Sequence, residues 1–393
     1  MKKKLLFVMN NLNCGGAEKA LISLVQTIDY AKYEVDLYLF KHEGIFYNKL
    51  PKQVKVITEP LYYKNFDMSM KSAVLDSLKQ RRFDIAFSRL QAGYVFYKEK
   101  NPAKREQRVW KYLSRALPAL PKSYDAAIGF LEKTPIYFSI EKVDAVKKIG
   151  FIHNDYDKLQ MDPQLDIPFF AKLDHIITVS EVCGEVLMKR FPQFQSKVKV
   201  IHNIVSPSVI HEMSKESEEV FQTKRKIIVS IGRLHSQKGF EMAIEACKNL
   251  CDRGYDIKWY VIGEGEERNK LEQLIAQLHL QDRFFLIGLK DNPYPYMREA
   301  DIYVQPSRFE GKSIAIDEAK ILHKPIVVTN FSTVKDQIEH NKNGIIVEMN
   351  ADALAEGIAQ ILENEELRTA LVRRLSEENL GTEAEIEKLY ALI

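Results

Sequence analysis

Two successive series of short apolar runs, spaced by helix-sized segments, predict an α/β chain made of two doubly wound domains. Three observations carry this reading. First, the runs are continuous rather than alternating, as in "LLFVM", "KIIVSIG" and "PIVVTN". A strand without period-two alternation is buried on both faces, the condition of a parallel sheet covered by helices. Second, 393 residues exceed one ordinary core and suit two domains. Third, the polar stretch "SKESEEVFQTKRK", Ser214 to Lys226, breaks the alternation and carries no strand signal.

In chain order the first series is "LLFVM", "VDLYLF", "VKVI", "DIAFS", "AAIGF", "KIGFIH", "HIITVS" and "KVKVIH". The second is "KIIVSIG", "KWYVIG", "FFLIG", "DIYVQPS", "PIVVTN" and "GIIVE". The β-branched and aromatic content of these runs favours strands. The boundary is read near residue 205, giving domains 1–205 and 206–375, with the second domain's first strand starting at Lys226. Sheets of this kind bind ligands outside the carboxyl ends of their strands, so a crevice between two such domains is the expected site.

Hydrophobic residues make up 46% and charged residues 28%, which excludes a disordered chain. Cysteines at 14, 183, 247 and 251 do not complete a zinc spacing, so all four are read as free thiols of a reducing compartment. The apolar run Leu5 to Met9 is shorter than a signal-peptide core, and no run of 18 apolar residues occurs. A cytoplasmic protein, soluble or peripheral on the inner face of a membrane, is expected. Residues 1–200 carry 33 Lys and Arg against 22 Asp and Glu, whereas 201–393 carry 24 against 32. Segment 64–115 alone holds 13 basic and 5 acidic residues. That patch suits an anionic surface, whether lipid, nucleic acid or a pyrophosphate group; a solvated helix face is the plainer alternative.

Five loops at predicted strand ends carry the candidate chemistry. Gly15 and Gly16 follow the first strand and precede a helix, where backbone amides approach an anion or simply turn the chain. The full G-x-G-x-x-G dinucleotide pattern is absent. Arg233 and Lys238, in "GRLHSQKG", fall in the loop after "KIIVSIG", where a planar fork and a compact charge together neutralise a diphosphate. Gly263 and Gly265 make the tight turn of "VIGEG", and Leu289, Lys290 and Tyr296 lie on a loop suited to cover a flat base. In "SRFEGKSIAIDEAKIL", Glu310 occupies a loop and Glu318 the following helix, with seven residues between them. Carboxylates accept paired hydrogen bonds from vicinal hydroxyls, so each would hold one sugar ring, and amides from Gly311 through Lys312 and Ser313 to Ile314 would face the ligand.

With these residues in view, the chain resembles the retaining glycosyltransferases of family 4, which have the GT-B fold: two Rossmann-like domains facing a central cleft. "GGAEK", "FIHN", "ITVSE", "VIHNIV", "GRLHSQKG", "VIGEG" and "FEGKSIAIDEA" occur in family order over nearly the whole chain. The resemblance implies that Arg233 and Lys238 stabilise the donor diphosphate, that Glu318 accepts from the ribose, and that Glu310 contacts the transferred sugar. It implies that His153 reaches the donor sugar near the reacting carbon. Gly16, Gly263, Leu289, Lys290 and the Gly311–Ile314 amides would line the donor, with Gly15, Asn154 and Asn203 on the acceptor or accessory side. It further implies a C-terminal helix at about 376–393 that crosses back to the first domain. No metal or other cofactor is expected.

The expected substrates are a nucleotide-sugar, preferably UDP-linked, and a saccharide acceptor carried on an undecaprenyl-diphosphate type of lipid, met at an anionic membrane through 64–115. The expected setting is bacterial surface-polysaccharide synthesis. Two departures from the family pattern bear on specificity. Lys312-Ser313-Ile314 replaces a small residue followed by Leu-Pro, and "VIHNIV" lacks Pro-Asn-Gly. Alternatives are a catalytically silent GT-B partner subunit, which would be expected to lose Glu310, Arg233 or Lys238, and a GT-B sugar-nucleotide epimerase. A nucleic-acid binder is disfavoured by the acidic second half and the lack of a matching motif.

Overall fold

The computed structural model describes residues 2–13, 15–216 and 220–393. Cys14 and residues 217–219 of the polar stretch lie outside them. Residues 2–13, 17–202 and Glu385–Ile393 form one compact unit, and Gly15, Gly16 and Asn203–Ala384 form the other.

The first unit is built on seven strands: β1 (Lys3–Met9), β2 (Tyr33–Leu39), β3 (Lys55–Val56), β4 (Ser123–Gly129), β5 (Asp144–Ile152), β6 (His175–Thr178) and β7 (Val198–Val200). Their order is β3-β2-β1-β4-β5-β6-β7, and every ladder is parallel. Leu5 through Met9 are fully buried, as a central strand covered on both faces requires. The C-terminal helix Glu385–Tyr390 belongs to this unit. Tyr390 stacks on Tyr33 with centroids 4.6 Å apart, and its hydroxyl accepts from the Asp29 amide at 2.8 Å.

One expected strand is a helix. "DIAFS" lies inside the helix Phe83–Lys98. Its buried residues, Ile85, Ala86, Ser88, Arg89, Ala92 and Gly93, recur with helical rather than two-residue spacing. A five-residue apolar run does not distinguish the two states by itself.

The second unit has six parallel strands: β8 (Lys226–Ile231), β9 (Ile257–Ile262), β10 (Phe284–Leu286), β11 (Ile302–Gln305), β12 (Ile326–Thr329) and β13 (Ile345–Val347). Their order is β10-β9-β8-β11-β12-β13. Helix Phe240–Asp252 buries Phe240, Ala243, Ile244, Cys247 and Leu250 at three- and four-residue spacing, the stripe that seats it on the sheet. Among the described residues Cys183, Cys247 and Cys251 are free thiols. No described helix is long and apolar enough to cross a membrane.

In each sheet the chain reverses its direction of growth once, between β1 and β4 and between β8 and β11. Such switch points leave the loops on either side diverging, which opens a pocket at the carboxyl ends. The β8–β11 ladder is short, pairing Ile228 with Ile302 and Val229 with Tyr303. Beyond it the Ser230 hydroxyl donates to the Val304 carbonyl at 2.6 Å and accepts from Trp259 Nε1 at 3.0 Å. This buried polar pair holds the two strands in register just below the opening.

Candidate functional site

At the second unit's switch point, the loop after β8 and the loop after β11 are sewn to each other. Arg308 N donates to Gln237 O at 2.8 Å, and Gln237 Nε2 donates to Phe309 O at 2.8 Å. Gly239 sits at φ +64°, and a Cβ there would lie 2.2 Å from the Pro306 carbonyl oxygen. The neighbouring loop after β9 presses equally hard: a Cβ on Gly263, at φ +155°, would meet Gly232 O at 1.9 Å. Glycine is required at both places because backbone occupies the side-chain position.

Between these loops lies a partly buried ion pair. Lys238 Nζ contacts Glu310 Oε1 at 2.5 Å. The same oxygen accepts from Ser307 Oγ at 2.6 Å and from Gln305 Nε2 at 3.2 Å. Gln305 is itself fixed, donating to Ser307 Oγ at 2.7 Å and accepting from Tyr303 Oη at 2.5 Å. All three of these side-chain donors thus converge on Oε1. The Glu310 carbonyl accepts from Thr333 Oγ1 at 3.0 Å. A carboxylate so held keeps one orientation before a ligand arrives.

Glu318 lies on the helix Ile314–Ile321, is buried, and accepts from Tyr294 Oη at 2.9 Å. Burial, with the Glu318 and Glu310 carboxylates nearby, pushes the Tyr303 phenol well above its ordinary pKa. The start of that helix is clamped by Gln337. Its Oε1 accepts from Ser313 N at 2.9 Å, while Nε2 donates to Ser313 O and to Asp317 Oδ1, both at 2.8 Å. The Ser313 amide, expected to face a ligand, is therefore taken by the protein. Lys312 Nζ stands 3.7 Å from Asp317 Oδ2. Arg233 is exposed at the start of the loop after β8. Lys290 lies 5.6 Å over the ring of Tyr296, beside the partly exposed Leu289.

The first unit's switch point has a different chemistry. His153 follows β5 and is buried, its ring tilted against Phe130 (4.9 Å) and stacked on Phe151 (5.7 Å). It shares a hydrogen bond with the Phe130 backbone, while burial pushes its pKa down to about 4, so the ring is neutral near pH 7. Among the described residues its Nε2 has no hydrogen-bond partner, although buried. Glu132, in the loop after β4, accepts from His153 N at 3.3 Å and from Asn154 Nδ2 at 3.5 Å. Gly16, grouped with the second unit, opens the helix Gly16–Thr27 and is exposed beside half-buried Gly15; a Cβ on Gly16 would meet nothing within 4 Å. Packing therefore does not explain that glycine. Asn203 is buried in the second unit, its carbonyl accepting from Thr382 Oγ1 at 2.8 Å.

The structure thus brings Lys238, Glu310, Glu318 and the Gly311–Ile314 segment together within the second unit, and sets His153 and Asn154 together within the first. Sequence reasoning missed Glu132, Gln305, Ser307 and Gln337. Gln305, a polar residue ending the apolar run "DIYVQ", was the available signal for the Glu310 network. Among the described residues no three His, Cys, Asp or Glu side chains gather as a metal site would need.

Residues 213–377 match the family model described as glycosyl transferases group 1. The chain is 28% identical over 224 residues to the N-acetylgalactosamine-N,N'-diacetylbacillosaminyl-diphospho-undecaprenol 4-alpha-N-acetylgalactosaminyltransferase of Campylobacter jejuni, covering 56% of this chain and 60% of that protein. It is 27% identical over 254 residues to the poly(ribitol-phosphate) alpha-N-acetylglucosaminyltransferase of Staphylococcus aureus, covering 62% of this chain and 50% of that one. The chain therefore spans about half the length of these relatives. Among solved structures it superposes on Anabaena HepE, determined with UDP and glucose, at a TM-score of 0.73 and 15% identity, covering 99% of this chain and 98% of that one. The fold is accordingly of the GT-B type.

Proposed function

We propose that this chain is a glycosyltransferase that moves a hexose or N-acetylhexosamine from a nucleotide-sugar, with UDP as the preferred nucleotide, to a saccharide acceptor in bacterial surface-glycan synthesis. The observation that carries this reading is the Lys238–Glu310 pair at the second unit's switch point. It offers a cation for a diphosphate beside a carboxylate whose side-chain donors gather on one oxygen. Arg233 joins Lys238 in stabilising the charge that develops on the leaving diphosphate, the electrostatic part of catalysis. Glu310 Oε2 accepts from hydroxyls of the transferred sugar, and Glu318 from the ribose. His153, held neutral by burial, accepts a sugar hydroxyl at Nε2. The transfer retains anomeric configuration, and the two cations stand in for a metal.

The proposed acceptor is lipid-linked, in keeping with the diphospho-undecaprenol named for the Campylobacter relative. The basic region 64–115 would meet the anionic surface that carries such a lipid. The test is nucleotide release from a panel of UDP-, GDP-, ADP- and dTDP-sugars in EDTA, with and without a lipid-linked acceptor extract. Release from one donor, raised by the extract and lowered about a thousandfold in Glu310→Gln, is expected. Release that needs added metal, or that survives Glu310→Gln, would overturn the assignment.

A further inference from the structure

The helix Phe83–Lys98 is turned the opposite way from an ordinary surface helix. Facing the protein are Ala86, Ser88, Arg89, Ala92 and Gly93. Facing outward are Phe83, Phe87, Leu90, Tyr94 and Tyr97, with 67%, 59%, 49%, 64% and 87% of their surface exposed. Their spacing of four, three, four and three residues draws one stripe down the helix, about 21 Å long at 1.5 Å per residue. Leu75 and Leu78 of the preceding helix, Met70–Lys79, are also about half exposed.

The rotation of the helix is set from inside. Buried Arg89 donates from Nε to Asn65 O and from Nη2 to Met68 O, each at 2.9 Å. Gly93 packs so tightly on the preceding helix that a Cβ would lie 2.3 Å from Met70 Sδ. Turning the aromatic stripe inward would break both carbonyl contacts and drive bulky side chains into the space that Gly93 leaves. The exposed stripe is thus a stable property of this fold.

We infer that this stripe is an insertion surface for an anionic lipid bilayer, in which the rings enter the boundary between headgroups and acyl chains. Charge decides among possible occupants. Exposed Lys79 and Arg81 lie before the stripe, exposed Lys98 and Lys100 lie after it, and segment 64–115 carries 13 basic against 5 acidic residues. A second copy of this chain would set two such basic segments against each other. An anionic bilayer neutralises them while accepting the rings, and Tyr at the stripe's end suits the interface. The inference deepens the membrane clause of the proposed function and does not depend on its transfer chemistry.

The test is co-sedimentation of the full chain with phosphatidylcholine vesicles and with vesicles of equal parts phosphatidylcholine and phosphatidylglycerol. These contain neither donor nor acceptor, so the outcome is read whether or not the chain transfers sugar. The wild type is expected to bind only the anionic vesicles, and to keep a bound fraction at about 1 M salt, where charge is screened beyond about 3 Å. Phe87→Ser with Tyr94→Ser, both at exposed positions, should lower partitioning by about tenfold per ring and remove the salt-resistant fraction. Phe87→Trp should give blue-shifted emission on anionic vesicles. Unchanged vesicle binding of the double variant overturns the inference. So does loss of self-association in sedimentation velocity with vesicle binding intact, which would assign the stripe to a second copy. Nucleotide release with a water-soluble saccharide acceptor, measured in parallel, judges the catalytic reading separately.

Discussion

At the second unit's switch point, three donors converge on one oxygen of Glu310, and three glutamines (237, 305 and 337) tie the surrounding loops to each other. At the first unit's, the candidate group is a neutral imidazole packed against two phenylalanines. The two sheets share a topology and open at equivalent places, yet one holds its chemistry as oriented charge and the other as a desolvated neutral acceptor. Fixed charge suits a ligand whose phosphates and hydroxyls are always the same. A small neutral acceptor leaves space for a partner whose shape is set elsewhere.

Substitutions can break this contrast, and the largest effect is expected at Glu310. Glu310→Gln keeps the side chain's volume and an acceptor for Ser307 but removes the charge beside Lys238. Donor turnover should fall by about a thousandfold, with stability lowered by about 1 kcal/mol. Steady-state nucleotide release and thermal denaturation together read both numbers. Equal loss in kcat and in folding would reduce Glu310 to a structural residue.

Next come the glycines, where the two positions should differ in size. Gly263→Ala places a methyl group 1.9 Å from a backbone oxygen at a positive φ, so it should cost the second unit about 3 kcal/mol or prevent its folding. Gly16→Ala meets nothing in the protein and should change stability by less than about 0.5 kcal/mol. If the open space beside Gly16 is where a ligand approaches, transfer falls in that variant while its melting temperature holds. Full activity in Gly16→Ala would remove this loop from the site.

A comparable effect is expected from pH. His153 has a folded pKa of about 4 against an ordinary value of 6.5. Its depressed pKa means the unfolded chain binds the proton more readily. The associated stability is complete above pH 6.5 and is lost as pH falls from there through 4, by about 3 kcal/mol at most. Trp110 reports on the first unit and Trp259 on the second, so a Trp259→Phe background isolates the first unit's unfolding. Denaturant titrations at pH 7.5 and 5 should show a loss that His153→Phe abolishes.

The smallest effect is at Gln337. Gln337→Glu preserves the acceptor for Ser313 N but sets a negative charge against Asp317. A loss of about 1 to 2 kcal/mol is expected, together with a raised donor KM as the Gly311–Ile314 segment loosens. A change in stability with KM untouched would show that the clamp serves the fold alone.

Much of this was legible before any coordinates. The uninterrupted apolar runs announced parallel sheets because a strand buried on both faces has no polar side to alternate with. The glycine and charge clusters fell at run ends, where a doubly wound sheet presents its loops. "DIAFS" misled because five residues contain too little of either period, and its helix owes its existence to contacts made by Arg89 and Gly93 with the segment before it. Glu132 stood in an unremarkable "GFLEKTP", and only the folding of β4 beside β5 brings it to the amide of His153.

The sequence by itself determined the class of fold and the residue types at each strand end, because burial and backbone geometry act on a few neighbouring residues at a time. Which oxygen of Glu310 is occupied, which amide Gln337 takes and which side of Phe83–Lys98 meets solvent were decided only by tertiary structure. Each depends on groups distant in sequence, such as Lys238 and Glu310, which lie 72 positions apart. Hydrogen bonds and close packing between such groups are set by three-dimensional geometry, and no local pattern in the chain encodes it.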